Sequence, residues 1–425
     1  SVAKPQVERW TWQKRLWEIE FDAFSWLIVI QNTFQGKIII FFLVTLLHAS
    51  HTNALDFKAY GFIQPESSIY INGNGRHGQD NYNTSLFGKG TFISYLQNGD
   101  AKFTISTIGR FDQSDDQLRY LDFQKFKYEY YFDDVTLKVG NEIVFWGVNE
   151  TFNIVDIINQ SNLAENISGT KKLGQPMASI SYSRDYGTFD IYLMPYFRER
   201  PFSGKEGRPR LLFEVDKNSI TYESSAKKRK MDFALRYSAV IEDLDIGLSH
   251  FYGNNRTPVL SPNPSTLKFD SHYPILSQTG VDIQATKGPW LYKLESVSAK
   301  DGSERHLSAA GGIEYTYYGI RNTQSDLGVI VEYAFDDRND NPFNNEGVIG
   351  LRWSLNDIKS SSLLAGYLFD IRGNSNRFQA EFEQRVNDDL KLFFDISLNG
   401  SIDNADFTYQ FKEDSSLTLK LAKYF

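Results

Sequence analysis

Cysteine is absent from this sequence of 425 residues, and its charge shows no basic surplus. The lack of cysteine excludes disulfide scaffolds, cysteine-ligated zinc sites and thiol catalysis. The net charge of −8, from 45 basic and 53 acidic residues, argues against nucleic acid as a partner, because phosphate binding needs a basic surplus. No apolar run reaches the roughly 20 residues that a transmembrane helix needs. Aromatic residues, at 15%, are too abundant for a disordered chain.

The first 54 residues differ in character from the rest of the chain. Lys37 is followed by a short apolar run at residues 38–47 and then by a polar stretch that ends at Thr52-Asn53-Ala54. A cation, a short apolar run and a small residue at the cut indicate a secretory signal peptide. We expect residues 1–54 to be an upstream extension plus a signal peptide that is removed, and residues 55–425 to be the mature domain. A buried N-terminal helix and a retained membrane anchor are the alternatives.

After residue 55, apolar side chains recur at every second position in segments that are separated by Asn, Asp, Gly and Ser turns. Clear examples are residues 126–132, 233–239, 327–335, 349–355 and 390–398. Because neighbouring strand residues point to opposite faces, each segment has one apolar face and one face that carries charge. A soluble β-sandwich also alternates, but with shorter strands. The pattern predicts an all-β, transmembrane, antiparallel up-and-down β-barrel of about 18 strands, with 16 as the runner-up.

The predicted connections alternate in length. Short turns fall at residues 97–100, 132–134, 184–187, 242–243 and 387–389, and long loops at residues 64–81, 149–174, 199–230, 254–273 and 336–346. Outer-membrane barrels have short periplasmic turns and long external loops. With about 18 strands, we therefore expect both termini of the barrel domain to lie in the periplasm. Residues 403–412 are assigned to an external loop, because a separate strand there would break this parity.

The last predicted strand alternates through Leu417, Leu419 and Leu421 and ends at an aromatic residue, Phe425. A terminal aromatic residue on an alternating strand is what the barrel-assembly machinery of diderm bacteria recognises. Together with the signal peptide, it predicts the bacterial outer membrane as the location and this machinery as a partner.

Two blocks of the sequence carry a family resemblance. The first consists of Gly312-Ile313-Glu314-Tyr315-Thr316, Asp326-Leu327-Gly328, Glu332-Tyr333, Asp336-Asp337-Arg338, Gly350-Leu351-Arg352, Asn356-Asp357 and Leu364-Ala365-Gly366. The second consists of Val139-Gly140-Asn141-Glu142, Phe145-Trp146-Gly147 and Asp156-Ile157-Ile158-Asn159. The chain resembles an uncharacterised group of porin-like outer-membrane proteins of Gram-negative bacteria. The resemblance implies a barrel in a bacterial outer membrane and establishes no substrate.

Charged residues on the polar faces of the predicted strands are the candidates for the pore lining. They are Arg236, Glu314, Glu332, Arg352, Glu381, Glu383, Arg385, Lys391 and Asp395, with Lys420 as a further cation. Opposed charges across a constriction would create a transverse field that orients polar solutes. The alternative is mutual neutralisation inside a filled barrel. A barrel of about 18 strands favours an aqueous channel, because barrels of this size leave one.

The long loop at residues 149–174 contains a cluster of apolar residues, Ile154, Val155, Ile157 and Ile158. It either folds inward and narrows the pore or lies over the rim as an external cap. We slightly favour the inward fold, because a wholly exposed isoleucine cluster would be costly. The candidates for a constriction are the polar residues Asn153, Asp156 and Asn159.

The loop at residues 199–230 and its flanks are basic, with Arg198, Arg200, Arg208, Arg210 and Lys227-Lys228-Arg229-Lys230. This patch would bind the phosphates of lipopolysaccharide or draw anions toward the mouth, and an ordinary solvated loop is the alternative.

The histidines after residue 55 do not suggest catalysis. They are His77, His250, His272 and His306. Ser249 and His250 are adjacent in a predicted strand, so they point to opposite faces and cannot pair as nucleophile and base. We expect no enzyme activity, no metal site and no cofactor.

These features predict an outer-membrane porin-like channel for passive or weakly selective diffusion of small hydrophilic solutes. An outer-membrane binding or export component with periplasmic partners is the alternative, and an outer-membrane hydrolase is less favoured. The expected partners are outer-membrane lipid, lipopolysaccharide, the assembly machinery and the solutes. A homotrimer also fits, because an apolar subunit interface has the same sequence pattern as a lipid-facing band.

Overall fold

The computed structural model describes residues 56–425 except residues 76–77, 97–98, 303, 339–343 and 405. The predicted signal peptide and His77 lie outside the described residues. One 18-stranded sheet forms a barrel. Its strands are β1 (Asp56–Tyr70), β2 (Tyr82–Leu96), β3 (Ala101–Asp112), β4 (Tyr120–Phe132), β5 (Val135–Glu142), β6 (Gln175–Arg184), β7 (Gly187–Met194), β9 (Asp232–Ile241), β10 (Leu244–Asn254), β13 (Ile275–Lys287), β14 (Trp290–Asp301), β15 (Glu304–Tyr317), β16 (Asp326–Asp336), β17 (Glu346–Ser354), β18 (Ser362–Asp370), β19 (Asn376–Asn387), β20 (Leu390–Asn399) and β21 (Ser416–Tyr424).

Three shorter strands form a separate small sheet within the long loops. They are β8 (Val215–Tyr222), β11 (Val259–Asn263) and β12 (Lys268–Tyr273). The described helical segments are short 3₁₀ turns, at Asp116–Leu118, Lys227–Arg229, Ile320–Asn322 and Phe407–Phe411. None of them has the length and apolar character that a membrane-crossing helix requires.

The barrel closes where its first and last strands pair. Every barrel strand is antiparallel to its barrel neighbour in the chain, and β1 pairs with both β2 and β21. A closed sheet has no edge with unpaired backbone groups, which is the condition for a strand structure in hydrocarbon. The predicted up-and-down barrel of about 18 antiparallel strands is confirmed.

The two faces of the wall differ as the alternation predicts. In β20, Asp395 lies opposite Glu381 of β19 and Thr418 of β21, so these three side chains share one face. Phe394 lies opposite Phe382 and Leu419 on the other face. Large apolar side chains on this second face are exposed along the barrel, among them Ile191, Leu294, Val331, Ile349 and Leu419. This face therefore contacts lipid, and the polar face lines the interior.

Outward-facing aromatic residues gather at one end of the barrel. Trp290 at the start of β14 contacts Tyr292 and Tyr315, with ring centroids 6.1 and 4.5 Å apart, and Tyr315 contacts Tyr317 at 4.5 Å. Phe189 and Tyr237 form a similar pair at 4.6 Å. Such a girdle at the boundary between hydrocarbon and water is typical of outer-membrane barrels.

Long connections occur at one end of the barrel and short turns mainly at the other. The long ones are residues 71–81, 143–174, 195–231, 255–274 and 400–415, and the tightest turns at the opposite end are residues 133–134, 185–186, 242–243, 288–289 and 388–389. The long end is external by the usual rule. One external connection is short, since β14 ends at Asp301 and β15 begins at Glu304. Residues 403–412 lie in an external connection, as expected.

Three predicted loop boundaries are wrong. The connection predicted for residues 199–230 begins at residue 195, because β7 ends at Met194. Residues 64–70 belong to β1, and Pro65 is tolerated there because the pairing of β1 with β21 skips from Ile63 to Glu66, where no N–H is needed. The connection predicted for residues 149–174 begins at residue 143, because β5 ends at Glu142.

Two adjacent residues of β19 test the assignment of the faces. Phe382→Arg places a cation in the lipid and should lower the free energy of unfolding by about 2–4 kcal/mol. Glu381→Arg changes charge on the inner face and should alter it by less than about 0.5 kcal/mol. Urea titration of both variants in lipid vesicles, with gel mobility as the readout, checks this. Equal destabilisation by the two variants would contradict the assignment.

Candidate functional site

The loop at residues 143–174, called the inner loop below, lies inside the barrel. Phe152 packs against Ala310 of β15, Ala334 of β16 and Val348 of β17. A second cluster packs the loop against strands further round the wall, and contains Trp146, Val155, Ile158, Met177, Tyr192, Met194, Ala234, Phe251, Leu276, Val297 and Ala299. Only the concave surface of a closed barrel lets one loop contact the same face of strands from β6 to β17.

A fully buried carboxylate, Glu295 of β14, binds the inner loop. It accepts hydrogen bonds from the backbone N–H groups of Val148, Asn149 and Val155, at 2.8, 3.1 and 3.1 Å. Buried amides need acceptors, and charged acceptors make the stronger bonds. Glu295 therefore fixes the loop against this part of the wall.

A second buried carboxylate, Glu332 of β16, binds the adjacent residues. It accepts from the N–H groups of Glu150 and Thr151, at 2.6 and 2.8 Å. The side chain of Glu150 pairs with Arg352 of β17, which also binds Glu314 at 3.3 Å. Residues 154–155 of the apolar cluster form a turn between these attachment points.

The far end of the inner loop reaches the opposite wall. Leu173 N–H donates to Gln160 and Asn162 N–H to Lys171, at 2.8 and 2.7 Å, so the loop returns as a narrow hairpin. Near its tip, Glu165 accepts from Arg110 Nε of β3 at 2.9 Å. Because β3 is the third and β14 the eleventh of the 18 strands, these attachments lie on nearly opposite sides of the barrel. The loop thus spans the lumen.

Two of the three candidates for a constriction in this loop have structural contacts. Asn159 accepts from Val144 N–H at 2.9 Å and donates to two backbone carbonyls at 2.8 Å, while Asp156 pairs with Lys172 at 3.2 Å. The side-chain oxygen of Asn153 is buried without a hydrogen-bond partner among the described residues. Asn159 and Asp156 therefore help to determine the shape of the loop, and the role of all three residues in a constriction stays a prediction.

The nine candidates for the pore lining lie on the inner face, in two groups. Those on β9 to β17 are engaged by neighbours: Arg236 makes a two-fold contact with Asp282 at 2.8 Å, and Glu332 is buried beneath the inner loop. Those on β19 and β20 are not covered by this loop. Glu381 and Arg385 are exposed to solvent, Glu383 pairs with Lys391 at 3.4 Å, and Asp395 pairs with Lys420.

Sequence reasoning missed several interior residues on β2 to β4. Lys89 lies between Phe87 and Thr91 on the inner face of β2, and the alternation of this segment was a sufficient signal for it. Lys125 was harder to place, because the register between β3 and β4 shifts between Ser106 and Thr107. Such a bulge changes the face to which the following residues point.

The loop at residues 195–231, called the outer loop below, crosses the external mouth. The guanidinium of Arg208 is buried and binds residues from the loops on both sides of the β1–β21 pair. Its partners are Asp414 Oδ1 at 2.8 Å and the carbonyl oxygens of Gly73, Asp80 and Glu413, at 2.7, 3.1 and 2.6 Å. The outer loop begins after β7, so this contact is made across the opening.

Three arginines of the predicted outward basic patch bind other parts of the protein and do not face outward. Arg198 binds Asp122 at 3.0 Å, Arg200 binds Gln160 at 3.0 Å, and Arg208 is engaged as described. Each of these three side chains therefore binds other groups of the protein and is not free to form an outward patch. Asp115 also binds this loop through the N–H of Gly204 at 3.0 Å, and burial raises the pKa of its carboxyl.

The described histidines are separated. Ser249 Oγ faces Gly280 on the inner side, whereas His250 Nδ1 contacts Thr279 Oγ1 at 2.9 Å on the outer side. Within the part of the chain that the structure describes, no group of three or more His, Cys, Asp or Glu residues is arranged to hold a metal ion.

The attachment of the inner loop is tested by Glu332→Gln. The amide offers one acceptor oxygen to two backbone donors, so we expect the loss of one charge-assisted bond, about 1.5–3 kcal/mol of local stability. Hydrogen exchange at the amides of Glu150 and Thr151 should accelerate by about tenfold or more. The matched control is Glu381→Gln, which lies on the inner face away from the loop. Unchanged protection in E332Q would contradict the attachment.

The contact across the mouth is tested by Arg208→Ala. We expect the outer loop to detach while the barrel stays folded, with proteolysis of the loop accelerated by about tenfold or more, because several charge-assisted bonds are lost together. Arg229→Ala removes an exposed arginine of the same loop and serves as the control. Equal cleavage rates in the two variants would show that Arg208 does not hold the loop.

Comparison with known proteins supports the fold. No protein-family model matches the sequence, and no curated protein matches it. The crystal structure of Pseudomonas aeruginosa OccK3 (OpdO) has a TM-score of 0.53 at 11% identity, covering 87% of this chain and 96% of that one. A variant of the Rh. blastica porin has 0.44 at 10%, covering 87% and 100%, and Salmonella typhi OmpF, solved with daunomycin, has 0.44 at 8%, covering 87% and 97%. The closed wall, its apolar exterior and the first of these similarities show that the chain has a porin-like fold, a closed antiparallel β-barrel with an apolar outer face.

Proposed function

We propose that the protein is an outer-membrane channel for passive or weakly selective diffusion of small hydrophilic solutes. The observation that carries this proposal is the exposure of inward-facing side chains on β19. Glu381 and Arg385 point into the barrel and are nevertheless exposed to solvent. In a packed interior they would be buried and paired, as Glu295 and Glu332 are, so their exposure supports a wetted space beside the inner loop.

The polar lining of this space favours small hydrophilic solutes. The inner faces of β19, β20 and β21 carry charges of both signs, and the pairs Glu383–Lys391 and Asp395–Lys420 remain partly exposed. An apolar solute would displace the water around these charges without replacing its hydrogen bonds, which is unfavourable. The inner loop reduces the width that remains, and this supports a limit on solute size.

The partners expected from the sequence remain proposals. Lipopolysaccharide, the assembly machinery acting on Phe425 and a homotrimer each need a separate test, such as native mass spectrometry for the trimer. The removal of residues 1–54 is likewise proposed, and sequencing the N-terminus of the mature protein would test it.

Conductance across planar bilayers tests the channel. Purified, folded protein should produce stepwise currents in potassium chloride. Glu381→Trp fills part of the proposed path and should reduce the single-channel conductance by roughly a third or more, because ion flow depends on the free cross-section and polarity of the pore. Phe382→Trp, on the lipid face of the same strand, is the control and should conduct as the parent does. Folded protein that stays closed would overturn the proposal and favour a binding or export component.

A further inference from the structure

An apolar groove lies on the outer, lipid-facing side of the wall at β14 to β16. It has a volume of about 420 Å³ and includes Gly311 of β15, which has no side chain to fill it. Its outward-facing sides are formed by Tyr292 of β14, Ile313 of β15 and Val331 and Tyr333 of β16, all of which are exposed. We refer to this feature as the outer groove. A recess of this kind on a face that contacts lipid fits an acyl chain.

Polar side chains lie above the outer groove, toward the external rim. Ser296 and Ala309 are opposite each other and come first on the outer face. The next row contains Ser298 of β14, Thr279 of β13 and His250 of β10, and His250 Nδ1 lies 2.9 Å from Thr279 Oγ1. Hydrogen-bonding side chains are out of place on a face that meets only hydrocarbon, because their groups lack partners there. This row therefore indicates contact with the polar part of a lipid.

Two cations lie directly opposite each other above this row. Lys300 of β14 pairs in register with Arg305 of β15, and both side chains are exposed on the outer face. Arg305 Nη1 donates to Ser298 Oγ at 2.9 Å, and among the described residues no carboxylate lies within 4.0 Å of either cation. Like charges directly opposite each other on neighbouring strands are destabilising. An anionic group bound between them would remove this repulsion.

The carboxylates around the two cations leave room for such a group. On the outer face of β14 to β16 and its described rim, the carboxylate is that of Asp337, which accepts from Leu307 N–H at 2.9 Å and keeps its charge. Asp301 and Glu304 adjoin the cations in sequence but belong to the inner face, where Asp301 Oδ1 lies 3.6 Å from His306 Nδ1. Two adjacent cations thus share the outer face with one carboxylate that contacts neither of them.

The height of the cations matches a lipid headgroup. Trp290 belongs to the aromatic girdle at the periplasmic end, and Lys300 lies ten residues further along β14. At about 3.3 Å per residue and a strand tilt of about 40°, this segment rises about 25 Å, which is the height of the apolar band of outer-membrane barrels. The cations therefore lie at the headgroups of the external leaflet, and the outer groove lies beneath them among the acyl chains.

We propose that the outer groove and the Lys300–Arg305 pair form a binding site for one lipopolysaccharide molecule. A phosphate of its lipid anchor lies between the two cations, the sugar that bears this phosphate contacts the hydroxyl row, and one acyl chain enters the outer groove. A phospholipid lacks the sugar and fits two of these three parts. The site is distinct from the basic outer loop, to which the sequence assigned this partner. The inference rests on the outer-membrane location of the proposed channel and is independent of conduction.

Native mass spectrometry of the folded protein with added lipopolysaccharide tests the cationic part of the site. The parent should retain one molecule per chain, and the double variant K300Q/R305Q should bind it roughly tenfold or more weakly, because charge-assisted bonds to phosphate are lost. Lys287→Gln is the control. It removes an exposed cation from the outer face at the periplasmic end of β13 and should leave the affinity unchanged.

Filling the outer groove tests the acyl part of the site. Gly311→Leu occupies the recess and should weaken binding by roughly threefold or more, because less apolar surface of the lipid is buried. Gly88→Leu adds the same side chain to the outer face of β2, where the nearest atom to the new Cβ would be 3.8 Å away. This control should bind as the parent does. Gel mobility shows whether each variant is folded before its affinity is measured.

The outcomes separate this inference from the channel itself. Equal affinity of the parent and K300Q/R305Q would overturn the site and leave the channel intact, whereas a folded parent without currents would overturn the channel and leave the site intact. Equal binding of phosphatidylglycerol and lipopolysaccharide by the parent would overturn the choice of ligand. If K300Q/R305Q instead dissociates an oligomer of the lipid-free parent, this face contacts a second copy of the chain, and the lipid site is overturned.

Discussion

The pairing of β1 with β21 is the constraint on which the rest of this structure depends. In hydrocarbon a strand with unpaired backbone groups is too costly, so the sheet must close before any of its apolar residues can face lipid. Once the sheet is closed, the alternation along each strand is sufficient to place apolar residues outside and charged residues inside. The external loops and the inner loop are then attached to a wall that already exists.

The inner loop, like the strands of the wall, has backbone N–H groups that need hydrogen-bond partners. The inner loop has no regular secondary structure, so many of its N–H groups lack partners from the loop itself. Glu295 and Glu332 supply these partners from the wall. Two carboxylates that the sequence presents as ordinary polar-face residues therefore act mainly as structural acceptors. This use places them beneath the inner loop and removes them from direct contact with a solute.

The sequence predicted the parts of the structure that depend on neighbouring residues. The two-residue period fixes which side of a strand a side chain occupies, so the inner position of Asp395 and the outer position of Phe394 could be read directly. The path of the inner loop could not, because Val148 and Glu295 are separated by 147 positions and nothing local indicates that they meet. The same limit explains why Asp156 and Asn159 were expected to form a constriction. Both have partners that stabilise the loop, and these partners are not evident from the neighbouring sequence. It also explains why the arginines near residue 200 were expected to face outward.

The contacts of Arg208 also constrain the order of assembly. Its acceptors come from the loop after β1 and from the loop before β21, so the docking site is divided between the two ends of the barrel sequence. A half-built wall offers only one portion of it. The outer loop can therefore bind here only after β1 and β21 have paired. A docked outer loop would indicate a closed barrel, whereas an incompletely closed barrel would leave this loop unattached.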